Sequence, residues 1–368
     1  LFRPQFDWDQ WRWGLKFLAQ CNDTAFERNV QQIVALGAYS HAALKDLVVS
    51  TGIEYNRLER GIAHFYTDQK SFDAAGHAVE LMRKFGVQRR LVSRDELLKI
   101  EPAFKAYGDK ITGGTYTSTD ESGDARVFTQ ELARRCAARG AQFLYGHDVL
   151  RLNKIGDAID SVAVIARNTG ASGQKDFILK ADAFVVACGS YSAPLLRTVG
   201  VDLPIYPGKG YSATFPLLKP EGAPMVSTID DGKKIAMSRL GNVLRVAGTI
   251  ELGGFDMSLD SPVARARCHM LSRRIAEILP GVCDTRTPEE GGNPQYWTGL
   301  RPATPTNIPF IGQTRVGKLW VNAGHGTLGL TIGAPPSKAM AELLIGEVPA
   351  LHFGLLGVQS PRAVRRTV

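Results

Sequence analysis

Apolar and polar residues alternate along this chain with two periods, which predict a mixture of helices and strands. The helical period, with apolar side chains three and four positions apart, occurs in residues 6–20, 26–52, 71–86, 93–102, 126–140 and 262–279. Short apolar runs typical of buried strands occur in residues 61–68, 111–117, 160–168, 182–189, 319–322 and repeatedly within 205–255. A strand-rich insertion therefore lies between two βα segments, and this order predicts two interleaved domains rather than two domains in series.

The first 20 residues are predicted to form a Trp-rich helical arm. Trp8, Trp11, Leu15 and Leu18 lie at helical spacing and would share one face. Two interpretations are open for this face. It packs on the core of the protein, or it forms an interfacial patch, because Trp and Arg suit the boundary between membrane and water.

Composition narrows the possible function classes. With 44% hydrophobic and 22% charged residues, the 368-residue chain is typical of a folded globular protein of about two domains. The five cysteines form no C-x-x-C pair and the seven histidines lack metal-ligand spacing, so we expect a cytoplasmic protein without a metal. The net charge of +8 predicts a solvated basic surface, with attraction to an anionic membrane as the alternative. No nucleic-acid-reading motif occurs, and nucleic acid is not expected as a partner.

A glycine-rich turn near the end of the sequence carries the strongest local signal. Gly324, Gly326 and Gly329 form a G-x-G-x-x-G pattern between the apolar run 319–322 and a helical run that ends near Leu344. A dinucleotide fingerprint also needs a βαβ unit of ~30 residues with an acidic residue ~20 positions after the glycines. That position is Glu347, which does not end a convincing strand, so this turn is not expected to bind a pyrophosphate.

Two prolines support the same conclusion. Pro335 and Pro336 bar one unbroken helix from Gly326 to Leu344, and they suit the first turn of a helix that begins near Ile332. Such a turn would let a planar ligand approach the backbone and would direct N–H groups at an electron-rich atom. The pyrimidine end of a flavin, which gains negative charge on reduction, fits that description.

Taken together with other segments, this turn resembles a known family. The segments are "YPGKGYS" (206–212), "YWTGLRPATPTNIPFIGQT" (296–314) and "LWVNAGHGTLGLTI" (319–332), preceded in the same order by residues 120–143 and 181–196. They resemble the D-amino-acid dehydrogenase small subunits of the D-amino-acid oxidase superfamily of FAD enzymes. Thr306 departs from the aspartate that is usual there.

The resemblance implies a mixed α/β fold with an FAD-binding, Rossmann-like domain interleaved with a strand-rich substrate domain. The expected division is 116–204 with 291–368 for the FAD-binding domain, 21–115 with 205–290 for the substrate domain, and 1–20 for the arm. The family's N-terminal βαβ unit, with its own G-x-G-x-x-G, has no counterpart downstream of Leu1. We therefore expect a fragment that lacks this unit.

The implied activity is oxidative deamination of D-amino acids such as D-alanine, by hydride transfer to FAD. The products are imino acids, then 2-oxo acids and ammonia, and the electrons pass to a respiratory quinone or another acceptor, with a possible peripheral contact at the inner membrane. Two alternatives are an oxidase for glycine or sarcosine and an inactive fragment that cannot hold FAD. Thr327 stands where glycine oxidases carry an arginine, which weighs against the first alternative.

Candidate catalytic residues follow from the chemistry and from the resemblance. Arg301 is predicted to bind the substrate carboxylate, since its planar fork matches both oxygens, although a structural arginine bonded to loop carbonyls would also suit this position. Tyr211 either contacts the substrate or is a core tyrosine with a satisfied hydroxyl. Lys209 is expected to be exposed. His325 is predicted to contact the flavin rather than to act as a general base.

The resemblance also implies which residues contact FAD. The turn residues are Gly324, His325, Gly326, Thr327, Leu328 and Gly329, with Thr331 beside them. The backbone of Val149 would meet the adenine, and Ala187, Cys188 and Gly189 would line the ribityl–pyrophosphate stretch. Cys188 is not expected to be a redox thiol, because it ends an apolar strand predicted to be buried.

Overall fold

The chain is mixed α/β, as expected. The computed structural model describes residues 2–167 and 176–349. The helices of these ranges are α1 (Trp8–Leu18), α2 (Asp23–Thr51), α3 (Gln69–Lys84), α4 (Arg94–Ile100), α5 (Ala125–Ala138), α6 (Ser192–Arg197), α7 (Pro262–Ile278), α8 (Gly329–Ile332) and α9 (Ala334–Leu344). The strands are β1 (Ile62–Tyr66), β2 (Arg89–Ser93), β3 (Gly113–Thr117), β4 (His147–Ile155), β5 (Ala158–Ala166), β6 (Phe177–Lys180), β7 (Phe184–Val186), β8 (Tyr206–Pro216), β9 (Ser227–Asp230), β10 (Ile235–Leu240), β11 (Val243–Leu252), β12 (Gln295–Ala303), β13 (Phe310–Gln313) and β14 (Leu319–Ala323).

Two compact units are interleaved along the chain. The first comprises Leu1–Arg3, Gly52–Leu132 and Lys209–Gly299, and the second comprises Pro4–Thr51, Ala133–Gly208 and Leu300–Val368. This division differs from the predicted one at residues 21–51, which group with the second unit instead of with 52–115. It also differs at residues 116–132 and 291–299, which group with the first unit instead of with the predicted FAD-binding segments. Which unit binds FAD stays a prediction, and the predicted domain beyond residue 349 lies outside the described residues.

The first unit is built on an eight-stranded sheet of order β12-β8-β11-β10-β9-β1-β3-β2, to which β8 contributes its residues from Lys209 onward and β12 its residues up to Gly299. Most neighbours are antiparallel, while β1 and β9 run parallel. A single apolar core lies on this sheet and includes Phe65, Phe215, Met237 and Leu271. The predicted capping box of α4 is present, since Ser93 Oγ accepts from Glu96 N while Glu96 Oε2 accepts from Ser93 N.

The second unit contains two three-stranded sheets. In one of them β14 lies between β13, which is antiparallel to it, and β7, which is parallel to it. The other is antiparallel, with the order β4-β5-β6. An apolar core that includes Leu196, Leu319 and Val321 packs against the β13-β14-β7 sheet. The strand predicted directly after Gly140 begins only at His147, since Gly140 (φ +95°) ends the α5 segment in a turn.

Helix α2 explains why residues 23–51 belong to the second unit. Its Leu36 packs with Ile332, Ala339 and Met340 of α8 and α9. The predicted end at Gly52 is confirmed by a left-handed φ of +61°, a conformation in which glycine carries no Cβ penalty. By length and mean hydropathy (1.2) α2 also meets the criteria for a membrane span, a test that core helices of soluble proteins pass as well.

Helix α1 has one buried and one exposed face. Asp7 caps its N-terminus by accepting from Asp9 N, and Trp13 is buried and stacked on Phe17 with the ring centroids 5.3 Å apart. Trp8, Trp11, Leu15 and Leu18 are all exposed, and Trp8 retains 77% of its surface. The face of α1 that carries Trp13 therefore packs on the core, as the first interpretation of the arm expected. The predicted apolar stripe, with Trp8, Trp11, Leu15 and Leu18, faces away from the core of its unit.

Candidate functional site

Parallel pairing brings two predicted cofactor segments to one edge of a sheet. Strand β7 pairs with β14 in a register that sets Phe184 opposite Leu319 and Val186 opposite Val321. Residues 187–189 directly follow β7, and residues 324–329 directly follow β14. Because both strands point the same way, both segments lie at the carboxyl edge of the sheet, where ligands bind in α/β folds.

The glycine turn is shaped by close packing on one side and open space on the other. Gly324 has a φ of +88°, and a Cβ there would lie only 2.7 Å from Thr304 Cγ2. Gly326 is also left-handed (φ +56°), but a Cβ at Gly326 or at Gly329 would meet no atom within 4 Å. Only glycine fits the first position, whereas the other two leave the backbone open.

The helical run after the turn is divided as the prolines predicted. Short helix α8 ends at Ile332, and α9 begins at Ala334 with proline in its first turn. Glu347 N donates to Glu342 O just past the end of α9, and no strand follows within the residues described up to 349. Up to residue 349, the turn is therefore not followed by the second strand and the acidic strand end of a dinucleotide fingerprint.

Arg301 lies in a segment whose backbone is fixed at three carbonyls. Residues 300–310, which we call the proline-rich segment, begin with Leu300 O accepting from Ser190 Oγ at 3.2 Å. Pro302 O accepts from Gly326 N at 3.0 Å, and Ala303 O accepts from Trp13 Nε1 at 2.9 Å. Arg301 is thereby held next to the glycine turn by three separate elements.

The Arg301 side chain is largely removed from water. Burial lowers the pKa of its guanidinium from the usual value, because a low-dielectric environment disfavours the charged form. An arginine remains charged under these conditions. A desolvated cation gains more from a bound anion than an exposed one does.

His325 lies in the turn with its ring largely buried. Its Nε2 is buried and has no hydrogen-bond partner among the described residues. Burial lowers its pKa to about 4, so the imidazole is neutral at physiological pH. A group with that pKa is a weak base at neutral pH and is poorly suited to abstracting a proton, while its contact with the flavin stays a prediction.

Tyr211 belongs to the first unit and is part of its core. Its ring is 1% exposed, and its hydroxyl donates to Glu251 Oε2 at 2.6 Å. Glu251 also pairs with Arg3 Nη1 at 3.4 Å. Burial and this hydrogen bond raise the pKa of Tyr211, so the phenol stays protonated. Of the two interpretations left open by the sequence, this geometry favours the core tyrosine with a satisfied hydroxyl.

The expectation of an exposed Lys209 is wrong. Its side chain is buried, Nζ donates to Ser258 O at 2.6 Å, and Asp256 Oδ2 lies 3.7 Å away. The reason is that β8 is buried on both faces over most of its length, so that no position in this stretch points to solvent. A lysine in such a strand must satisfy its ammonium group internally.

The other predicted cofactor residues fall into two groups. At the carboxyl edge, Ala187, Cys188, Thr327, Gly329 and Thr331 are exposed, while Gly189, Gly326 and Leu328 are half-buried. Val149 lies elsewhere, in β4 of the antiparallel sheet, where it pairs with Val164 beside a register shift. The premise of a buried Cys188 is wrong, because β7 ends at Val186 and the cysteine follows it into an exposed turn.

Two supporting residues escaped the sequence analysis. Ser190 and Trp13 each donate to the proline-rich segment, from 110 and 290 positions away in the chain. In the sequence, Trp13 lies on the side of α1 opposite the apolar stripe. That position was the only indication that a second face of the helix points inward. Within the described ranges, no group of three or more His, Cys, Asp or Glu is placed to hold a metal ion.

Comparison with known proteins gives a consistent picture. The sequence model of the FAD dependent oxidoreductase (DAO) family matches residues 1–343. A D-amino acid dehydrogenase of Dechloromonas aromatica (strain RCB) is 44% identical over 97% of this chain and 82% of its own length. A D-amino acid dehydrogenase of Methylobacterium radiotolerans is 37% identical over 95% of this chain and 78% of its own length.

Solved structures share the fold at low sequence identity. Glycine oxidase from Geobacillus kaustophilus superposes with a TM-score of 0.73 at 22% identity, covering 88% of this chain and 82% of that one. L-proline dehydrogenase from P. horikoshii gives a TM-score of 0.69 at 16% identity, covering 87% of this chain and 80% of that one. The family match covers residues 1–343 and does not support the expectation of a fragment without its N-terminal unit.

Proposed function

Since this chain belongs to the FAD dependent oxidoreductase (DAO) family, we propose that it oxidatively deaminates D-amino acids such as D-alanine. The imino acid product then reacts with water to give the 2-oxo acid and ammonia. The observation that carries this proposal is Arg301, a desolvated cation in a segment fixed beside the glycine turn. Relatives named D-amino acid dehydrogenase, similar over almost the whole chain, support the choice of substrate class.

The residues at the carboxyl edge fit FAD. Cβ atoms at Gly189, Gly326 and Gly329 would meet nothing within 4 Å, so a planar ring can approach these backbones closely. The buried Nε2 of His325, without a partner in the described chain, offers a hydrogen bond to a ring heteroatom. When bound, FAD supplies the acceptor for the hydride that leaves Cα, a chemistry that amino-acid side chains do not supply.

Arg301 would bind and orient the substrate. Two parallel hydrogen bonds from its guanidinium to the carboxylate fix both the position and the rotation of the amino acid. The three hydrogen-bonded carbonyls around Arg301 restrict its backbone, and such pre-organisation reduces the entropy lost when the reacting atoms are aligned. His325, which is neutral at physiological pH, would contribute a hydrogen bond rather than a charge.

We further propose that the electron acceptor is a respiratory quinone and that the protein works in the cytoplasm at the inner membrane. The exposed face of α1, with Trp8, Trp11, Leu15 and Leu18, suits the interfacial region of a bilayer. The excess of basic residues would add attraction to anionic lipids. If D-alanine gave stoichiometric hydrogen peroxide as fast as it reduced a quinone, the oxidase alternative would be favoured instead.

Arg301 provides the test of the proposed function. Arg301→Ala should raise KM for D-alanine by roughly 30-fold or more, from a loss of about 2–5 kcal/mol, while the visible flavin band is retained. Arg301→Lys, which keeps the charge but not the fork, should recover part of this loss. The control is Arg151→Ala, because Arg151 is an exposed arginine on β4 that forms an ion pair with Asp176. A nearly normal KM in flavin-loaded Arg301→Ala would remove Arg301 from the substrate site.

A further inference from the structure

A cavity of about 420 Å³ lies within the second unit and is separate from the carboxyl edge just described. Its walls come from the end of α1, the first turns of α2, Pro204 and the proline-rich segment. The volume falls within the range of roughly 300–1,000 Å³ that small-molecule sites occupy. The cavity is therefore large enough for an aromatic ring with substituents.

Its lining combines an apolar side with a polar one. Pro305, Ile308 and Phe310 form the apolar side, which suits the face of a flat ring. Lys16 and Arg28 contribute two cations, and the lining residues include no aspartate or glutamate. Such a lining favours a flat ligand whose polar atoms accept hydrogen bonds or carry negative charge.

The cavity is adjacent to the proposed flavin site. Phe310 lines the cavity, and a Cβ on Gly324 would lie 3.4 Å from Phe310 Cδ2. One aromatic ring therefore separates the cavity from the glycine turn. A ligand there would lie close enough to a flavin on the turn to exchange electrons with it.

We propose that this cavity binds the quinone that reoxidises the flavin, an inference that rests on the proposed function for the source of the electrons. The quinone carbonyls accept hydrogen bonds from Lys16 and Arg28. On reduction both carbonyls become C–O–H groups: the quinone gains two electrons and two protons, and the reduced flavin loses the same number of each.

The position of the cavity suits a ligand that is dissolved in lipid. Lys16, Ala19 and Gln20, at the end of α1, form part of its wall. Leu15 and Leu18 of the same helix are each 66% exposed. A quinone held in a membrane surface that contacts α1 would have a short path into the cavity.

The test is direct binding of duroquinone to the flavin-loaded protein, measured by isothermal titration calorimetry. Saturable binding with one site is expected. Gln32→Trp should abolish it by filling the cavity, whereas Gln31→Trp, on the exposed side of the same helix, should leave it unchanged.

A second measurement follows the flavin spectrum under anaerobic conditions in a stopped-flow instrument. In Gln32→Trp, bleaching by D-alanine should proceed at the wild-type rate while reoxidation by duroquinone becomes slow. Reoxidation at equal rates in Gln32→Trp and Gln31→Trp, or the absence of saturable binding to the wild type, would overturn the inference. Failure of D-alanine to bleach the wild-type flavin would count against the proposed function alone, because the calorimetric result does not depend on it.

Discussion

The replacement Tyr211→Phe distinguishes a core tyrosine from a substrate contact. In the structure the hydroxyl makes a 2.6 Å hydrogen bond to the carboxylate of Glu251, and both residues are almost fully buried. Hydrogen bonds to a charged group contribute about 1.5–3 kcal/mol, and the loss leaves Glu251 with the half-exposed Arg3. We therefore expect the free energy of unfolding of the first unit to fall by about 2 kcal/mol.

Urea denaturation followed by circular dichroism measures this change, and a drop of about 4–8 °C in Tm should accompany it for a unit of this size. The KM for D-alanine should change less than twofold. Tyr116→Phe is the matched control, because its hydroxyl donates to Arg60 O at 2.9 Å at an exposed site of the same unit, where the loss is smaller. A large rise in KM with unchanged stability would refute the core assignment and place Tyr211 against the substrate.

Three further predictions concern the second unit. Burial lowers the pKa of His325 to about 4, below the value of 6.5 in the unfolded state, so the unfolded state binds a proton first as pH falls. The free energy of unfolding should therefore drop by about 3 kcal/mol between pH 6.5 and 4. In His325→Phe, urea titrations across that range should show a correspondingly smaller drop, and an unchanged pH dependence would contradict the assignment. Added FAD should slow alkylation of Cys188 severalfold but leave Cys21, which is also exposed, unaffected, as measured by mass spectrometry; equal labelling with and without FAD would exclude contact at Cys188. Trp13→Phe keeps the ring stacking but loses the hydrogen bond to the proline-rich segment, so it should raise KM for D-alanine severalfold. The control Trp8→Phe, at an exposed position, should leave KM unchanged. Equal KM values in the two variants would refute a positioning role for Trp13.

The features that the sequence predicts correctly depend on neighbouring residues. The capping box at Ser93 and Glu96 and the end of α2 at Gly52 are local, since the residues that satisfy the backbone lie within one turn. The division of the last helical run at Pro335 is local for the same reason. Each of these elements could be located by inspecting a short window of sequence.

The errors arise where burial is decided by distant parts of the chain. Lys209 resembles a surface residue until the sheet encloses β8 on both faces. Cys188 resembles the end of a buried strand, but β7 is only three residues long. Trp13 acquires its role from a carbonyl 290 positions away, which no periodicity in residues 6–20 can indicate.

The three fixed carbonyls of the proline-rich segment also have a consequence during protein synthesis. Their donors come from residues 13, 190 and 326, so the segment acquires its final shape only after nearly all of the chain has left the ribosome. Chains are synthesised from the N-terminus at about 5–20 residues per second. Trp13 is therefore made tens of seconds before the last of these donors. A nascent chain that met free flavin in that interval would hold no ordered arginine beside it. The arginine proposed to bind the substrate carboxylate is therefore held in place only after residue 326 has been made.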